Sequence, residues 1–188
     1  MSAGGTPASA MRSFDASLHV AFFANAQFFA GDLFYESFKI PFPLPRDGSG
    51  LSIPTPPQNW RQEVAFYKWP DERIEAVGFC NWIRHDDCYL CGGMCVQSSF
   101  YRRLPREHWI ACRERGGIAQ IVLETAFREL KDCVAWFGYC GDRKAYLVDI
   151  RAGYQPTRHR FLIVKWNADL GEAEKRSIED RFAAIGPF

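Results

Sequence analysis

The chain has 188 residues, a formal net charge of +1 and a hydrophobic fraction of 47%. This length fits one domain with a real core, and the near-zero charge argues against the basic footprint that captures nucleic acid. Its 16 Phe, 7 Tyr and 6 Trp predict a large aromatic core or a pocket for an apolar ligand.

The first third of the chain has little regular pattern. Residues 1–12 are small and polar, so we expect a disordered start. One or two short helices are predicted over residues 18–39, and a long loop or flap over Pro41–Pro57, because proline fixes φ and disfavours helix in the residue before it. The most apolar run, Leu18–Ala30, is broken by polar residues and falls short of the ~20 residues that span a bilayer. We therefore expect no membrane segment and, without a basic leader, no secretory signal.

The middle of the chain predicts an antiparallel meander. Runs of apolar and β-branched residues bounded by turn signals indicate strands at Gln62–Trp69, Ile74–Arg84 and Cys88–Gln97. An insertion follows at residues 98–114, and it is expected to be helical after Pro105 because proline suits the first turn of a helix.

Helices and strands alternate after the insertion. A 3.6-residue period predicts a helix with one buried face from Gly117 to about Lys131. The continuous apolar run Cys133–Tyr139 is typical of a central strand, and residues 142–151 predict a short helix with Asp142 as its N-cap. A late strand and a terminal helix complete the pattern, at Phe161–Trp166 and Asp169–Ile185. The element order predicts an α+β fold, or mixed α/β sandwich.

Two adjacent glycines open the first of these helices. Gly116 and Gly117 carry no side chain, so their backbone can approach a ligand closely. The free N–H groups of the helix's first turn and the helix dipole both favour an anion there. An apolar strand directly after the helix would place that anion beside a sheet. This layout suits a nucleotide-tailed cofactor.

The glycine segment resembles the pyrophosphate loop of the GNAT superfamily of N-acetyltransferases. The resemblance rests on Gly117-Ile118-Ala119 followed by Val122-Leu123, and with the later segment it covers about residues 62–167. It implies that an acyl-CoA binds with its pyrophosphate on backbone N–H groups of this loop, those of Arg115, Gly116, Gly117, Ile118 and Ala119. Arg113 or Arg115 would add positive charge. One departure is Glu114, where the family usually has Gln or Arg.

The segment from Asp142 to Tyr154 resembles the second GNAT signature, an Asn-x-x-Ala helix that runs into Tyr and then Gly-Phe. Asp142 takes the Asn position and is expected on the cofactor side, Ala145 matches, and Asp149 takes the Tyr position. Gly153-Tyr154 takes the place of Gly-Phe. The order and spacing of the two motifs carry the resemblance, since each alone is short.

The resemblance implies a GNAT-like architecture, with a mostly antiparallel sheet flanked by helices. Two central strands, Leu90–Val96 and Val134–Tyr139 by position, would splay apart to admit the pantetheine of the cofactor. A backbone N–H near Cys95 or Val96 would meet the oxyanion. Residues 13–61 would form the variable substrate side of one domain covering 13–188, and the terminal helix would lie within 168–188.

Acyl transfer from a thioester to an amine needs three proton or charge events. The amine loses a proton, the oxyanion is stabilised and the leaving thiolate is protonated. In the family a Tyr is often the proton donor, and Asp149 stands in its place, where it could serve only if burial raised its pKa. Tyr139, Cys140 and Tyr146 are nearby substitutes.

Carboxylates and an imidazole near the central strands are candidates for the base. By position these are Glu75, His85, Asp86 and Asp87. His85 has an intrinsic pKa near neutrality. The competing interpretation is a polar hairpin turn at residues 85–87.

The chain contains seven cysteines, an odd number that predicts a reducing, cytoplasmic location with most thiols buried. His85, Cys88, Cys91 and Cys95 have spacings that resemble those of zinc ligands. On a regular strand, however, Cys88 and Cys91 point to opposite faces, whereas Cys91 and Cys95 share one. We therefore assign no metal site.

These observations favour an acyl-CoA-dependent N-acyltransferase that works by direct attack in a ternary complex. The acceptor would be an amine on a small molecule or peptide, with no nucleic acid or membrane partner, and a homodimer is left open. The acceptor side would combine the proline-rich loop with six aromatic residues, Phe22, Phe23, Phe28, Phe29, Phe34 and Phe38. The alternatives are a catalytically inactive GNAT-like protein that binds CoA or a protein partner, and a zinc-binding module built on residues 85–95.

Overall fold

The computed structural model describes residues 12–44 and 59–188. Residues 1–11 of the predicted disordered start, and Pro45–Pro57 of the predicted flap, lie outside the described residues. Arg12, at the end of that start, is tied to the fold because its carbonyl oxygen accepts a hydrogen bond of 2.7 Å from His108 Nε2.

The described residues form seven helices and seven strands. The helices are α1 (Phe14–Ser17), α2 (Gln27–Phe38), α3 (Phe100–Arg103), α4 (Arg106–Glu114), α5 (Ile118–Glu129), α6 (Arg143–Arg151) and α7 (Glu172–Ile185). The strands are β1 (Leu18–Phe23), β2 (Trp60–Lys68), β3 (Ile74–His85), β4 (Cys88–Val96), β5 (Ala135–Tyr139), β6 (Gln155–Pro156) and β7 (Leu162–Trp166). Within these ranges, no helix combines the length and the apolar character that a bilayer crossing requires.

All seven strands lie in one sheet with the order β1-β2-β3-β4-β5-β7-β6. Neighbours are antiparallel except β4 and β5, which are parallel. A parallel pair needs a crossover connection, and α3, α4 and α5 supply it. The predicted α+β class with a mostly antiparallel sheet is confirmed.

The prediction of helix at the start of residues 18–39 is wrong. Leu18–Phe23 forms β1, which pairs with β2 from Leu18 opposite Tyr67 to Phe23 opposite Gln62. It contains Val20, Phe22 and Phe23, residue types that suit a pleated, half-buried surface, and β2 supplies the hydrogen bonds. The helix prediction holds only for α2. The antiparallel meander before the insertion therefore has four strands, β1 to β4, rather than the predicted three.

Helices cover both faces of the sheet. The buried side of α5 packs on one face together with residues of α1, α4 and α6, while α2 and α7 cover the other face. The first turn of α5 lies very close to β3, because a Cβ added at Gly78 would be only 2.7 Å from Ile118 Cγ2. Glycine at position 78 thus fixes how near the amino end of α5 approaches the sheet.

Local signals set the ends of several helices as predicted. The carboxylate of Asp142 caps α6, accepting hydrogen bonds from the N–H groups of Lys144 (2.9 Å) and Ala145 (2.8 Å). The chain leaves that helix through Gly153, whose φ is 103°. In the insertion, α4 begins directly after Pro105, as the proline indicates.

Candidate functional site

The two central strands diverge at their carboxyl ends. Among the described residues, β4 and β5 pair from Cys88 opposite Ala135 to Cys91 opposite Gly138, although β4 continues to Val96. The register between β3 and β4 shifts near this point, and Gly93 has a φ of 121°. Such a bulge bends a strand and increases its twist. The predicted splay is confirmed, and it begins after Cys91.

The divergence opens a cleft that reaches both faces of the sheet. It consists of two cavities of about 340 Å³ and about 470 Å³ that share Phe38, Met94, Asp142 and Ala145 as walls. The first extends past Cys91, Gly138 and Tyr154 towards α5, and the second extends along the end of β4 towards α2. We call this combined space the cleft.

Asp149 lies at the wall of the cleft beside a cysteine. Its side chain is 7% exposed. Burial raises the pKa of the Asp149 carboxyl, although a hydrogen bond with the Cys140 thiol opposes the shift. Burial and the neighbouring carboxyl raise the pKa of Cys140 to about 12. A carboxyl in this setting keeps its proton to higher pH than an Asp in water. Asp149 could act as the proton donor only if its pKa were raised in this way.

Four further predicted residues border the cleft. Tyr139 and Asp142 line the cavity of about 340 Å³, and Cys95 and Val96 line the cavity of about 470 Å³. The structure thus brings together residues from the end of β4, the end of β5 and the start of α6, which are separated by up to about 50 positions in the chain.

The glycine loop is less open than the sequence predicts. The N–H groups of Arg115, Gly116 and Gly117 donate to carbonyl groups of α4, at 3.2, 2.9 and 2.9 Å. They close the end of that helix. Because these three donors are already used, the prediction that they hold a pyrophosphate does not fit this conformation. Ile118 and Ala119, in the first turn of α5, remain as the predicted donors.

Two side chains of the loop region cover this first turn. The Ile118 N–H donates to the Tyr101 hydroxyl at 3.0 Å. The side chain of Gln120 folds over Gly116, where an added Cβ would be 2.1 Å from Gln120 Oε1. Tyr101 comes from the insertion, which no loop motif describes. An anion at this turn would compete with the Tyr101 hydroxyl for a donor.

The arginines of the loop have protein partners. Arg115 forms an ion pair with Asp15 of α1, and the guanidinium of Arg113 lies 5.2 Å from the ring centre of Trp109. Neither side chain borders the cleft. Each would have to leave its partner to meet a phosphate.

The predicted base Glu75 is not in the cleft. It accepts hydrogen bonds from Trp69 Nε1 (2.8 Å), Gln97 Nε2 (2.6 Å) and Arg103 Nη2 (2.9 Å). Burial acts to raise the pKa of Glu75, but these hydrogen bonds, led by Arg103, outweigh it and lower the pKa. Glu75 is therefore an ionised carboxylate that joins β3 to the insertion.

The predicted base His85 is also outside the cleft. It ends β3 opposite Cys88, at the closed end of β4, three residues before the divergence begins. A strand rises about 3.3 Å per residue, so His85 is on the order of 10 Å from Cys91. Its ring packs 5.6 Å from the ring centre of Phe182 in α7, and its neighbours Asp86 and Asp87 both pair with Arg181.

The cysteines do not converge on a metal. All seven are free thiols, and within residues 12–44 and 59–188 no group of three or more His, Cys, Asp or Glu side chains has a metal-binding arrangement. Cys88 and Cys91 face opposite sides of the sheet, as predicted. Cys91 and Cys95, which were expected to share a face, also lie on opposite sides. The prediction of a shared face is wrong because the bulge at Gly92–Gly93 reverses the alternation.

The predicted aromatic acceptor side only partly reaches the cleft. Among the six phenylalanines of residues 22–38, Phe38 lines it, whereas Phe34 packs 5.6 Å from Phe79 in the core and Phe28 is 93% exposed. The same helix contributes Glu36, a carboxylate that sequence reasoning missed, to the wall near α2. No sequence pattern links α2 to the end of β4, so only the packing could reveal Glu36.

Comparisons with known proteins address the fold. No family model matches the sequence, and no curated protein matches it. The ribosomal-protein-S18-alanine N-acetyltransferase from Escherichia coli superposes with a TM-score of 0.50 at 11% identity, covering 82% of this chain and 97% of that one. YhhK from E. coli, bound to coenzyme A, gives 0.49 at 14% identity, covering 79% and 98%. AtaT complexed with acetyl-methionyl-tRNAfMet gives 0.41 at 13% identity, covering 88% and 99%.

The first of these likenesses covers most of both chains and therefore addresses the whole fold. The sequence resemblance at the loop and at the second signature points the same way. This chain has the fold of the GNAT N-acetyltransferases.

Proposed function

We propose that the protein is an acyl-CoA-dependent N-acyltransferase that joins an acyl group to an amine by direct attack. The observation that carries the proposal is the cleft at the divergence of β4 and β5, with the buried Asp149 at its wall. A slot between two diverging strands suits the narrow pantetheine arm, and its apolar walls would exclude water from the thioester.

The acyl donor would enter with its diphosphate near the first turn of α5. The N–H groups of Ile118 and Ala119 and the helix dipole favour an anion there. Tyr101 would give up its hydrogen bond from Ile118, or share it, when the diphosphate arrives. The donor's thiol arm would then run past Met94 towards Cys91 and Gly138, and a backbone N–H at Cys95 or Val96 would face the oxyanion.

The acyl transfer involves one bond exchange and two proton transfers. The amine nitrogen attacks the thioester carbonyl carbon, the C–S bond breaks, and the leaving thiolate takes a proton from Asp149. The amine releases one proton, and Glu36, on the α2 side of the cleft, would accept it. Glu75 and His85 have no part in this scheme because they lie outside the cleft.

A cleft-filling variant tests donor binding. Met94→Trp places a bulky ring between the two cavities, and Met94→Leu, which nearly conserves volume, is its control. Coenzyme A and acetyl-CoA should raise the melting temperature of the wild type and of Met94→Leu, but not of Met94→Trp. An absent shift in the wild type, or an equal shift in Met94→Trp, would contradict the proposal.

A second pair of variants tests the proton transfers. With acetyl-CoA and a panel of amines, Asp149→Asn should lower kcat by about 10²-fold or more, since general acid catalysis typically contributes that much. Wild-type kcat should fall as pH rises through the raised pKa of Asp149, because only the protonated carboxyl donates. Glu36→Gln should also slow turnover, whereas Asp32→Asn, one turn earlier on α2 and also exposed, should not.

The second candidate function is a GNAT-fold protein that binds CoA or a protein partner without catalysis. The filled amides of the glycine loop and the covering Tyr101 leave fewer donors for a diphosphate, so they favour the version of this candidate that binds a protein partner. Chromatographic assay for released CoA separates the two functions. A wild type that binds acetyl-CoA but acylates none of the amines would support the second.

A further inference from the structure

Two cysteine thiols meet between β3 and β4. The Sγ atoms of Cys80 and Cys91 lie 3.4 Å apart, although the residues are 11 positions apart in the chain. All seven cysteines lie in the described part of the chain, and among them only this pair brings two sulfurs into contact. A disulfide bond holds its sulfurs about 2.0 Å apart, so this pair needs an approach of roughly 1.4 Å to bond.

Strand register explains the contact. Trp82 lies opposite Cys91, and Cys80 precedes Trp82 by two residues on the same face of the sheet. Cys80 and Cys91 are therefore diagonal neighbours on adjacent strands, and the side chains of such neighbours can interact. Both thiols pack on the face of the sheet that α5 covers. Two paired strands thus hold the sulfurs together.

The two thiols differ in access. Cys80 has no exposed surface, and burial raises the pKa of its thiol well above the ordinary value, so Cys80 stays protonated. Cys91 is partly exposed and lines the cavity of about 340 Å³. Leu123 and Tyr154 form walls of that cavity on the α5 face, which is the face on which the Cys91 side chain packs. A small solute in the cleft therefore meets Cys91 before Cys80.

We infer that Cys91 is an oxidation site for peroxides and that Cys80 is its resolving partner, so that oxidation links the two residues by a disulfide. After losing its proton, the Cys91 sulfur attacks one oxygen of hydrogen peroxide, the O–O bond breaks, and the departing hydroxide takes up the proton as water. Cys91 becomes a sulfenic acid. This modification is separate from the proposed acyl transfer and does not depend on it.

The burial of Cys80 does not block the second step. The Cys80 sulfur attacks the Cys91 sulfur, the S–O bond breaks, and the departing hydroxide takes the proton of Cys80 as a second water. Together the two thiols lose two electrons, and the peroxide gains them. This step uses the contact already present between the two sulfurs. The new bond joins β3 to β4 at the residue after which β4 leaves β5, so the oxidation acts at the wall of the cleft.

Peptide mapping tests the inference on the native protein. Wild type is treated with hydrogen peroxide, its remaining thiols are alkylated, and it is digested with trypsin without reductant. Cleavage after Arg84 separates the two cysteines into peptides 74–84 and 85–102. We expect the two peptides to be linked, at a mass two hydrogen atoms below their sum, and to separate when a reductant is added.

Variants assign the bond, because peptide 85–102 also contains Cys88 and Cys95. The linkage should persist in Cys88→Ala and in Cys95→Ala, which are the matched controls, and disappear in Cys91→Ala. In Cys80→Ala the sulfenic acid at Cys91 has no resolving thiol, so dimedone, which captures sulfenic acids, should label Cys91. Cys91 of the wild type should remain unlabelled, because Cys80 consumes the sulfenic acid first.

Three results would overturn the inference. One is a peroxide-treated native wild type in which peptides 74–84 and 85–102 stay unlinked, and this result needs no variant to fold. Another is a linkage that survives Cys91→Ala. The third is a linkage that forms only after the protein is unfolded in urea, which would show that the folded structure does not bring the two sulfurs together for reaction.

Discussion

Glu63 offers a direct test of the electrostatics of this fold. It lies in β2 with no exposed surface. One carboxyl oxygen, Oε2, accepts a hydrogen bond of 2.8 Å from Trp82 Nε1, while Oε1 has no partner among the described residues. Burial raises the pKa of Glu63 well above its ordinary value, and the hydrogen bond from Trp82 only partly opposes this.

The raised pKa makes the folded protein bind a proton that the unfolded chain has already released. An unfolded Glu titrates near pH ~4.3. Above that pH the free energy of unfolding should fall by about 1.4 kcal/mol per pH unit, until the folded pKa is reached and the slope ends. The stability that Glu63 contributes is thus fully present in acid and lost as pH rises.

Glu63→Gln removes the charge and keeps an oxygen that can accept from Trp82. Urea unfolding followed by tryptophan fluorescence, between about pH 5 and about pH 8, gives the free energy for both proteins. We expect the free energy of unfolding of Glu63→Gln, relative to that of the wild type, to increase as pH rises. Asp149 also has a raised pKa, but it is present in both proteins and cancels in the difference.

Glu174→Gln on α7 is the matched control, because Glu174 is exposed and its substitution should leave the pH dependence unchanged. If the difference in unfolding free energy between the wild type and Glu63→Gln did not change with pH, the reasoning would be refuted. It would mean that Glu63 ionises in the folded protein much as it does in water.

Three further outcomes are expected. Asp142→Ala removes the cap of α6 and should cost about 1 kcal/mol of unfolding free energy in urea, whereas Asp142→Asn should cost less; equal losses would contradict the cap. Gly78→Ala should cost about 1–3 kcal/mol by driving a Cβ against Ile118, with Gly171→Ala, which meets nothing within 4 Å, as control; similar melting temperatures would disprove the close approach of α5. Tyr101→Phe should tighten coenzyme A binding in calorimetry by freeing a donor at the first turn of α5, and weaker binding would show that the hydroxyl helps to hold the ligand.

Periodic and local features of this fold were predictable from the sequence. The buried stripe of α5, the central strand at 135–139 and the cap at Asp142 follow from spacing and residue type over a few positions. The three strands at 60–96 are also found, within two residues at each end. Element ends of this kind depend on neighbours along the chain, which the sequence shows directly.

The candidate site was predictable where a motif described it or where the implied fold placed the ends of the central strands. Asp142 and Asp149 both border the cleft, as the second signature implies. By contrast, Glu75 and His85 were placed by their position along the strands, and their partners hold them elsewhere. Tyr154 was matched to a motif position, but its buried hydroxyl, which has no hydrogen-bond partner among the described residues, depends on what surrounds the ring in three dimensions.

The sequence by itself determined which segments from residue 60 to the end are mainly helical or extended, because these follow from side-chain periodicity and from glycine and proline. Only the tertiary structure decided that Leu18–Phe23 is a strand, since β2, about 40 residues away, supplies its hydrogen bonds. The tertiary structure also decided where β4 leaves β5, because a bulge is a property of register between strands. Finally, it decided that Tyr101 covers the first turn of α5, since hydrogen-bond donors are satisfied by whichever group packs against them.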